Sequence, residues 1–252
     1  SHLPRFGLDG AVVLSVVPWH HAFGLFIDLL PTIAAGATIV REPSHGRDAQ
    51  TIINACEDFG VTHMCMVPLQ AEMLAATQRG RGVLRSLDGG VIGGAPIDAN
   101  LAAQLAGTRL RVGYGQTEAS PGITLGDQGE FAAGYIGTPV GCETRIGDDG
   151  VLYARGPNVC LGSWDAEGLT QRPRGGWLRT GDVVRPARGA INGMTFLGRV
   201  NDEFKLANGR LVQTAAEAGG NAVHRPLDAR AGNLAQPLGP RRRHAARLRR
   251  RR

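Results

Sequence analysis

The sequence predicts an α/β fold: a parallel-sheet α/β region, a small β-barrel-like region after it, and a disordered basic tail. Three observations predict this. Up to about Pro139, apolar runs of strand length alternate with stretches of helical spacing, the pattern of parallel strands joined by helices. Between Ile136 and Leu197 the texture changes to short strands separated by turns. From residue 217 onward large apolar residues become scarce and arginine dominates, so this part cannot bury enough surface to order itself.

Each element has a local reason. Ala11–Val17 is a continuous, β-branched apolar run suited to a strand covered on both faces. Ala22–Ala34 reads as helix and Thr38–Val40 as a short strand. Asp48–Phe59 brings Ile52, Ile53, Ala55, Cys56 and Phe59 to helical spacing, starts at an acidic cap and stops at Gly60. Val61–Val67 returns to strand and Gln70–Gln78 to helix. The strand Gly90–Ile92, the helix Asp98–Leu105 and the strand Arg109–Val112 complete the alternation. Thr144–Ile146 and Val151–Ala154 flank the turn Gly147–Gly150 as a hairpin, and Val183–Arg185 and Met194–Leu197 read as two further strands.

The 252 residues suffice for one large domain or two smaller ones. The net charge of +6 belongs to the tail: residues 217–252 carry ten arginines against Glu217 and Asp228, a net of +8, which leaves −2 for residues 1–216. The basic balance therefore says nothing about a specific nucleic-acid partner for the folded part. Lys205 is the only lysine beside 27 arginines, a bias expected of GC-rich coding DNA. Cys56, Cys65, Cys142 and Cys160 are widely spaced, which argues against a zinc site or a disulfide framework. No signal peptide is visible at Ser1–Arg5, and the apolar stretch from Phe23 to Ala35 is interrupted by Asp28 and Pro31. These features predict a soluble, cytoplasmic protein with no transmembrane segment.

Five segments carry chemistry. Pro18-Trp19-His20-His21-Ala22-Phe23-Gly24 follows the first strand, and Gly93-Gly94-Ala95-Pro96 follows a later one. Tyr114-Gly115-Gln116-Thr117-Glu118-Ala119 follows the strand Arg109–Val112. Trp177–Asp182 and Gly198–Lys205 come after them. In this order they resemble the signatures of the adenylate-forming (AMP-binding) superfamily, which includes acyl-CoA synthetases, firefly luciferases and peptide-synthetase adenylation domains. The resemblance spans about residues 11–212. It implies the large N-terminal domain of such an enzyme in partial form: an α/β AMP-binding subdomain over residues 1–139, a β-rich subdomain over 140–198, a hinge and the start of a truncated C-terminal domain over 199–216, and the tail over 217–252.

The resemblance also implies roles. Tyr114 stacks on adenine and Gly115 lies beside it; the Thr117 hydroxyl contacts the α-phosphate of ATP or AMP, and the Glu118 carboxylate holds Mg²⁺, a hard cation that takes oxygen ligands. Gly94, Ala95 and Pro96 line the adenine, with Gly93 and Gly94 also facing the acyl group; Gly93–Pro96 equally suits a strand-to-helix turn capped by Asp98. His21 orients the reacting carboxylate and stabilises developing charge, and Phe23 lines the acid pocket. Asp182 accepts from both ribose hydroxyls, a role suited to a carboxylate facing a vicinal diol, and Arg199 contacts ribose and phosphate. Asn201 occupies the hinge. The implied reaction joins a carboxylic acid, fatty or aryl, to the thiol of CoA or of a carrier protein, with ATP and Mg²⁺.

Relatives carry a Ser/Thr/Gly-rich phosphate loop before the first of these segments, and a later domain bearing a catalytic lysine. Neither is found here, because the chain starts too late for the loop and no lysine follows Lys205. The chain is therefore expected to be truncated at both ends, with its own turnover in question. A non-catalytic AMP- and acyl-binding remnant and a decayed gene product stay open as alternatives. Gln213–Gly220 departs from the Pro and Glu-Ile-Glu pattern of relatives, so the tail is read as an out-of-frame product; an uninterrupted gene with no C-terminal domain in another frame would refute that.

Overall fold

A computed structural model describes residues 6–173, 175–189, 191–200, 203–205 and 211–213. The strand β1 (Val12–Ser15) leads into a helical stretch made of a π turn at Gly24–Leu29 and α1 (Leu30–Ala34). Then follow β2 (Thr38–Arg41), α2 (Ala49–Phe59), β3 (His63–Cys65), α3 (Pro68–Ala75), α4 (Gln78–Ser86), β4 (Val91–Gly93), α5 (Ala99–Leu105) and β5 (Arg111–Gly115). The second half is all strand apart from one 3-10 turn at Thr117–Ala119. It comprises β6 (Gly122–Leu125), β7 (Tyr135–Pro139), β8 (Glu143–Ile146), β9 (Val151–Arg155), β10 (Gly162–Asp165), β11 (Gly168–Gln171), β12 (Leu178–Pro186) and β13 (Met194–Arg199). A last pair, β14 (Glu203–Lys205) and β15 (Leu211–Gln213), is antiparallel.

The expected alternation is present, and the helices start where the sequence caps them. Asp48 Oδ2 accepts from the Thr51 N–H at 2.8 Å and opens α2; Asp98 Oδ1 accepts from the Leu101 N–H at 2.7 Å and opens α5. Each cap satisfies an N–H that the first helical turn leaves without an internal partner. The helix α4 was not expected; Gly80 and Gly82 dilute its helical signal, and Thr77 caps it by accepting from the Gly80 N–H.

Parallel pairing holds in the first half. The strands run β2-β1-β3, all parallel, and isolated parallel bridges from His63 to Gly89 and from Met66 to Ile92 carry β3 across to the edge of β4, which pairs in parallel with β5. From β5 the sheet continues as β6-β7-β13-β12-β9-β8, every pair antiparallel, including the expected β8–β9 hairpin. This eight-stranded sheet is continuous across residues 139 and 140.

One core packs α2, α3 and α5 on the parallel strands, with Leu14, Ile52, Met64, Leu74, Ile92, Leu101 and Leu110 fully buried. Each such side chain contributes roughly 2 kcal/mol relative to exposure. A second cluster, including Ile123, Leu152, Leu178 and Val184, fills the antiparallel part. The rigid strands beneath therefore end together at Ser15, Cys65, Gly93 and Gly115, and their carboxyl ends form one edge where the following loops meet.

Candidate functional site

The loops beyond that edge enclose a cleft of about 790 Å³. One wall is built from the chain after β1. The Pro18 carbonyl accepts from the His21 N–H at 3.1 Å and the His21 carbonyl from the Leu25 N–H at 3.0 Å, so the segment turns back at once into the π turn. Gly24 permits this, because a Cβ there would lie 2.2 Å from the Pro18 oxygen. The turn presents His21, Phe23, Phe26 and Ile27 to the cleft. His21 Nδ1 accepts from the Phe23 N–H at 3.2 Å, so the neutral ring carries its proton on Nε2.

The same turn buries Asp28, which is 2 % exposed. Its Oδ2 accepts from the Ser15 hydroxyl, and the Ser15 oxygen accepts in turn from Trp19 Nε1 at 2.8 Å and Arg41 Nη1 at 3.1 Å. The Arg41 guanidinium also stacks on the Trp19 ring, 4.6 Å from its centre. Burial pushes the Asp28 carboxyl up to about 6, against the Ser15 and Trp19 hydrogen bonds and the Arg41 charge, all of which lower it.

The facing wall comes from the end of β5. Gly115 has no room for a side chain, since a Cβ would meet the Pro121 carbonyl oxygen. The 3-10 turn Thr117–Ala119 closes with Ser120 at φ 53°, a left-handed conformation uncommon outside glycine. A second loop clamps this turn. Asn158 Nδ2 donates to the Ala119 carbonyl at 3.2 Å and the Gly122 carbonyl at 2.7 Å, while the Cys160 N–H donates to the Glu118 carbonyl at 2.8 Å.

Behind this wall Tyr114 donates its hydroxyl to Asp182 Oδ2 at 2.6 Å, and Arg199 Nε donates to Asp182 Oδ1 at 2.7 Å. Asp182 and Arg199 face each other across the β12–β13 pair. Burial, and then the Asp182 carboxylate, push the Tyr114 phenol well above its ordinary range, so it stays a donor. The Asp182 N–H is itself held by Thr180 Oγ1 at 3.1 Å, which fixes the carboxylate's starting point.

Most of the sequence-predicted residues meet here. His21, Phe23, Gly93, Gly94, Tyr114, Gly115, Thr117, Glu118 and Arg199 line the cleft. Ala95 and Pro96 are exposed and do not line it. Asp182, 2 % exposed, lies behind Tyr114 rather than open to the cleft. Asn201 lies outside the described residues. Sequence reasoning missed Asn158, whose contribution follows from a loop 36 to 39 residues away, and the Ser15–Asp28–Trp19–Arg41 cluster. Asp28 inside an apolar run was the one available signal for that cluster.

Among the described residues no group of three His, Cys, Asp or Glu side chains is placed to hold a metal. Glu118 stands alone as a half-buried carboxylate on the cleft wall, an arrangement that fits Mg²⁺ only where phosphate oxygens supply further ligands.

Comparison with known proteins gives a consistent picture. The family described as AMP-binding enzyme matches residues 2–164. The chain is 33 % identical over 188 residues to a feruloyl-CoA synthase of Amycolatopsis sp, covering 68 % of this chain and 38 % of that one. It is 34 % identical over 137 residues to a long-chain-fatty-acid–CoA ligase of Mycobacterium bovis, covering 53 % and 21 %. The crystal structure of the anthranilate CoA ligase AuaEII in complex with anthranoyl-AMP superposes with a TM-score of 0.67 at 23 % identity, over 82 % of this chain and 43 % of that one, a likeness of fold. The chain thus spans about two fifths of the length of the first of these relatives.

Proposed function

The chain belongs to the AMP-binding enzyme family, and from that premise we propose that it is part of an ATP-dependent carboxylic acid–thiol ligase, of the acyl-CoA synthetase kind. The single observation that carries this reading is that one cleft is lined both by His21 and Phe23 from the first strand's loop and by Tyr114–Glu118 and Arg199 from the opposite wall. An acid and a nucleotide therefore meet at the edge where the two walls converge.

In the proposed reaction a carboxylate oxygen of the acid attacks the α-phosphorus of ATP, and pyrophosphate leaves with the electron pair of the broken bond. The sulfur of a CoA or carrier-protein thiol then attacks the acyl carbon, gives up its proton and releases AMP. Tyr114 offers its ring to adenine against the wall of Gly93, Gly94 and Gly115. Asp182 takes the ribose hydroxyls once the Tyr114 hydroxyl yields Oδ2, and Arg199 moves with it toward ribose and phosphate. Thr117 donates to the α-phosphate. His21, with its proton on Nε2, donates to the acid's carboxylate and holds it in line. Glu118 would hold Mg²⁺, which would neutralise charge on the phosphates.

The acid end of the cleft is lined by Phe6, Phe23, Phe26, Ile27, Val91 and Leu125 beside His21, with no carboxylate or guanidinium among them. That supports an apolar acid, aryl or fatty, without a second charge. We extend the same reading to organisation: an α/β AMP-binding part over residues 1–139, a β-rich part over 140–198 that shares its sheet, a hinge near Asn201 leading to the start of a C-terminal domain, and a tail with no specific nucleic-acid partner. Among the described residues no helix is long and apolar enough to cross a membrane, and all four cysteines are free. A cytoplasmic location agrees with both.

The test is pyrophosphate release by the full chain with ATP and a panel of cinnamic, benzoic and long-chain fatty acids, beside thermal stabilisation by AMP. Release with an apolar acid supports the ligase. Stabilisation by AMP without release from any acid assigns the chain to nucleotide binding alone, and no stabilisation by AMP rejects the reading.

A further inference from the structure

Among the described residues, two deeply buried acidic side chains, Glu42 and Asp28, lie beside the first strand, and they are held differently. Glu42, 0 % exposed, has both oxygens occupied, by the Ser44 N–H and the Gly46 N–H at 2.6 Å each. Asp28 has Oδ2 bound to Ser15, while Oδ1 is buried with no hydrogen-bond partner. An unsatisfied carboxylate oxygen costs stability, and an apolar side chain of similar shape would remove that cost. Its placement offers a reason for it.

Phe23 and, in the π turn, Phe26 and Ile27 face the cleft, while Asp28 packs against β1. Turns of this kind insert one extra residue per loop of the helix and are frequent at functional sites. The Ser15 hydroxyl there is saturated: it donates to Asp28 and accepts from Trp19 and Arg41. Trp19 lies two residues before His21, and Asp28 follows Ile27 directly. Asp28 and Trp19 therefore grip both ends of the segment that faces the acid. The gripping point, Ser15, is the last residue of a buried strand, which is rigid.

We propose that Asp28 is a positioning residue for the acid-binding wall: its buried carboxylate, acting through the Ser15 hydroxyl and Trp19, fixes the segment His21–Ile27 against β1. The proposal rests on the acid-binding reading of the cleft given above. The titratable and charged groups that face Asp28 are Arg41 from β2, whose charge lowers the Asp28 carboxyl, and Cys65 from β3, whose thiol burial and the Asp28 charge push upward, so it remains neutral. His45 meets this cluster only through Arg41 Nη2, at 3.0 Å. Asp28, held at about 6, changes its charge near neutral pH. Its protonation replaces a charge-assisted hydrogen bond with a neutral one of about half the strength.

The test uses the full chain with two probes, AMP and the sulfamoyl-adenosine analogue of cinnamoyl-adenylate, together with the indole N–H resonance of Trp19. Asp28→Asn is expected to weaken the cinnamoyl analogue about tenfold, the loss of one charge-assisted hydrogen bond, while AMP affinity changes less than about twofold. Ser15→Ala is expected to act in the same direction. In the wild type the analogue weakens as pH falls from about 7.5 to 5.5 and the Trp19 resonance moves over the same interval; in Asp28→Asn both responses are smaller than in the wild type. Rescue by Asp28→Glu, in part, would add support. Wild-type affinity for the analogue in Asp28→Asn, or equal losses for AMP and the analogue, overturns the positioning role while leaving the ligase reading intact. Failure of the wild type to bind both this analogue and its long-chain acyl counterpart while AMP binds overturns the acid-binding reading and the proposal with it.

Discussion

The two walls of the cleft are built by different means. The nucleotide wall, Tyr114 to Gly122, leaves a strand through a short turn and is held at its main-chain carbonyls by neutral donors: Ala119 and Gly122 receive the Asn158 side-chain amide, and Glu118 receives the Cys160 N–H. The acid wall, Pro18 to Leu29, is held by one cluster of side chains around Ser15 that includes an ionisable group with an unsatisfied oxygen. A wall held by neutral amides tolerates changes in pH. A wall held by a buried acid responds to them. The difference predicts that substitutions on the two sides separate nucleotide affinity from acid affinity.

The largest expected effect is on the nucleotide side. Asp182→Ala removes the acceptor of both the Tyr114 hydroxyl and Arg199 Nε. In the proposed complex it also removes two charge-assisted hydrogen bonds to ribose. At about 1.5–3 kcal/mol each, AMP binding is expected to weaken on the order of a thousandfold, measured by calorimetry. Adenosine analogues lacking both ribose hydroxyls should then bind wild type and variant alike. A variant that still binds AMP within tenfold of wild type removes Asp182 from the nucleotide wall.

Next comes Asp28→Asn, read as stability against pH. The folded carboxyl sits at about 6, above its ordinary value of 3.8, so the folded state binds the proton more tightly than the unfolded chain. This group's contribution is complete below about 3.8 and is lost as pH rises to about 6. The shift corresponds to about 3 kcal/mol. The stability of Asp28→Asn relative to wild type is therefore expected to rise by up to that amount between pH 4 and 7.5 in urea titrations. A variant uniformly less stable than wild type across that range would mean that the charge stabilises the wall outright. Neutral-pH stability gained together with acid affinity lost is the signature of a group retained for placement.

Legibility in the sequence follows the same division. Tyr114–Ala119 and Arg199 carry their chemistry in contiguous motifs that follow or end strands, and the structure brings them to one cleft with His21 and Phe23. Capped elements such as α2, bounded by Asp48 and Gly60, were equally plain because their signals are local. The Asp28 cluster was not legible: Ser15 lies 13 residues from Asp28 and 26 from Arg41, and only the packing of β1 beside β2 brings them together. The β10–β11 hairpin was missed because Leu161, Trp164 and Leu169 are exposed there, so burial imposes no alternation on the sequence. The partly hidden position of Asp182 was also beyond the sequence, since it depends on a hydrogen bond to a residue 68 positions away.

Gly24→Ala probes the acid wall without touching its charges. A Cβ 2.2 Å from the Pro18 oxygen forces apart the turn that begins at Pro18 and the π turn that follows. Overpacking of this kind costs about 2 kcal/mol. The melting temperature is expected to fall, and affinity for an acyl-adenylate analogue to fall further than affinity for AMP. Equal loss of both ligands would show that the two walls are mechanically one, and the contrast between them would fail.

The smallest effect is expected from Asn158→Ala, which asks how far the nucleotide wall depends on any one side chain. The substitution removes two donors, to the Ala119 and Gly122 carbonyls, at a net cost of about 1 kcal/mol each before compensation. Compensation exists in two places. The Asn158 Oδ1 atom is buried without a partner, so its removal relieves a penalty. The Cys160 N–H still holds the Glu118 carbonyl, since that bond belongs to the backbone. The net change is therefore about 1 kcal/mol, a fall in AMP affinity of no more than about fivefold with the acid-side response to pH unaltered. A loss as large as that of Asp182→Ala would show that the turn at Thr117–Ser120, with Ser120 in its left-handed conformation, depends on this one amide, and that the nucleotide wall is as reliant on a single side chain as the wall opposite.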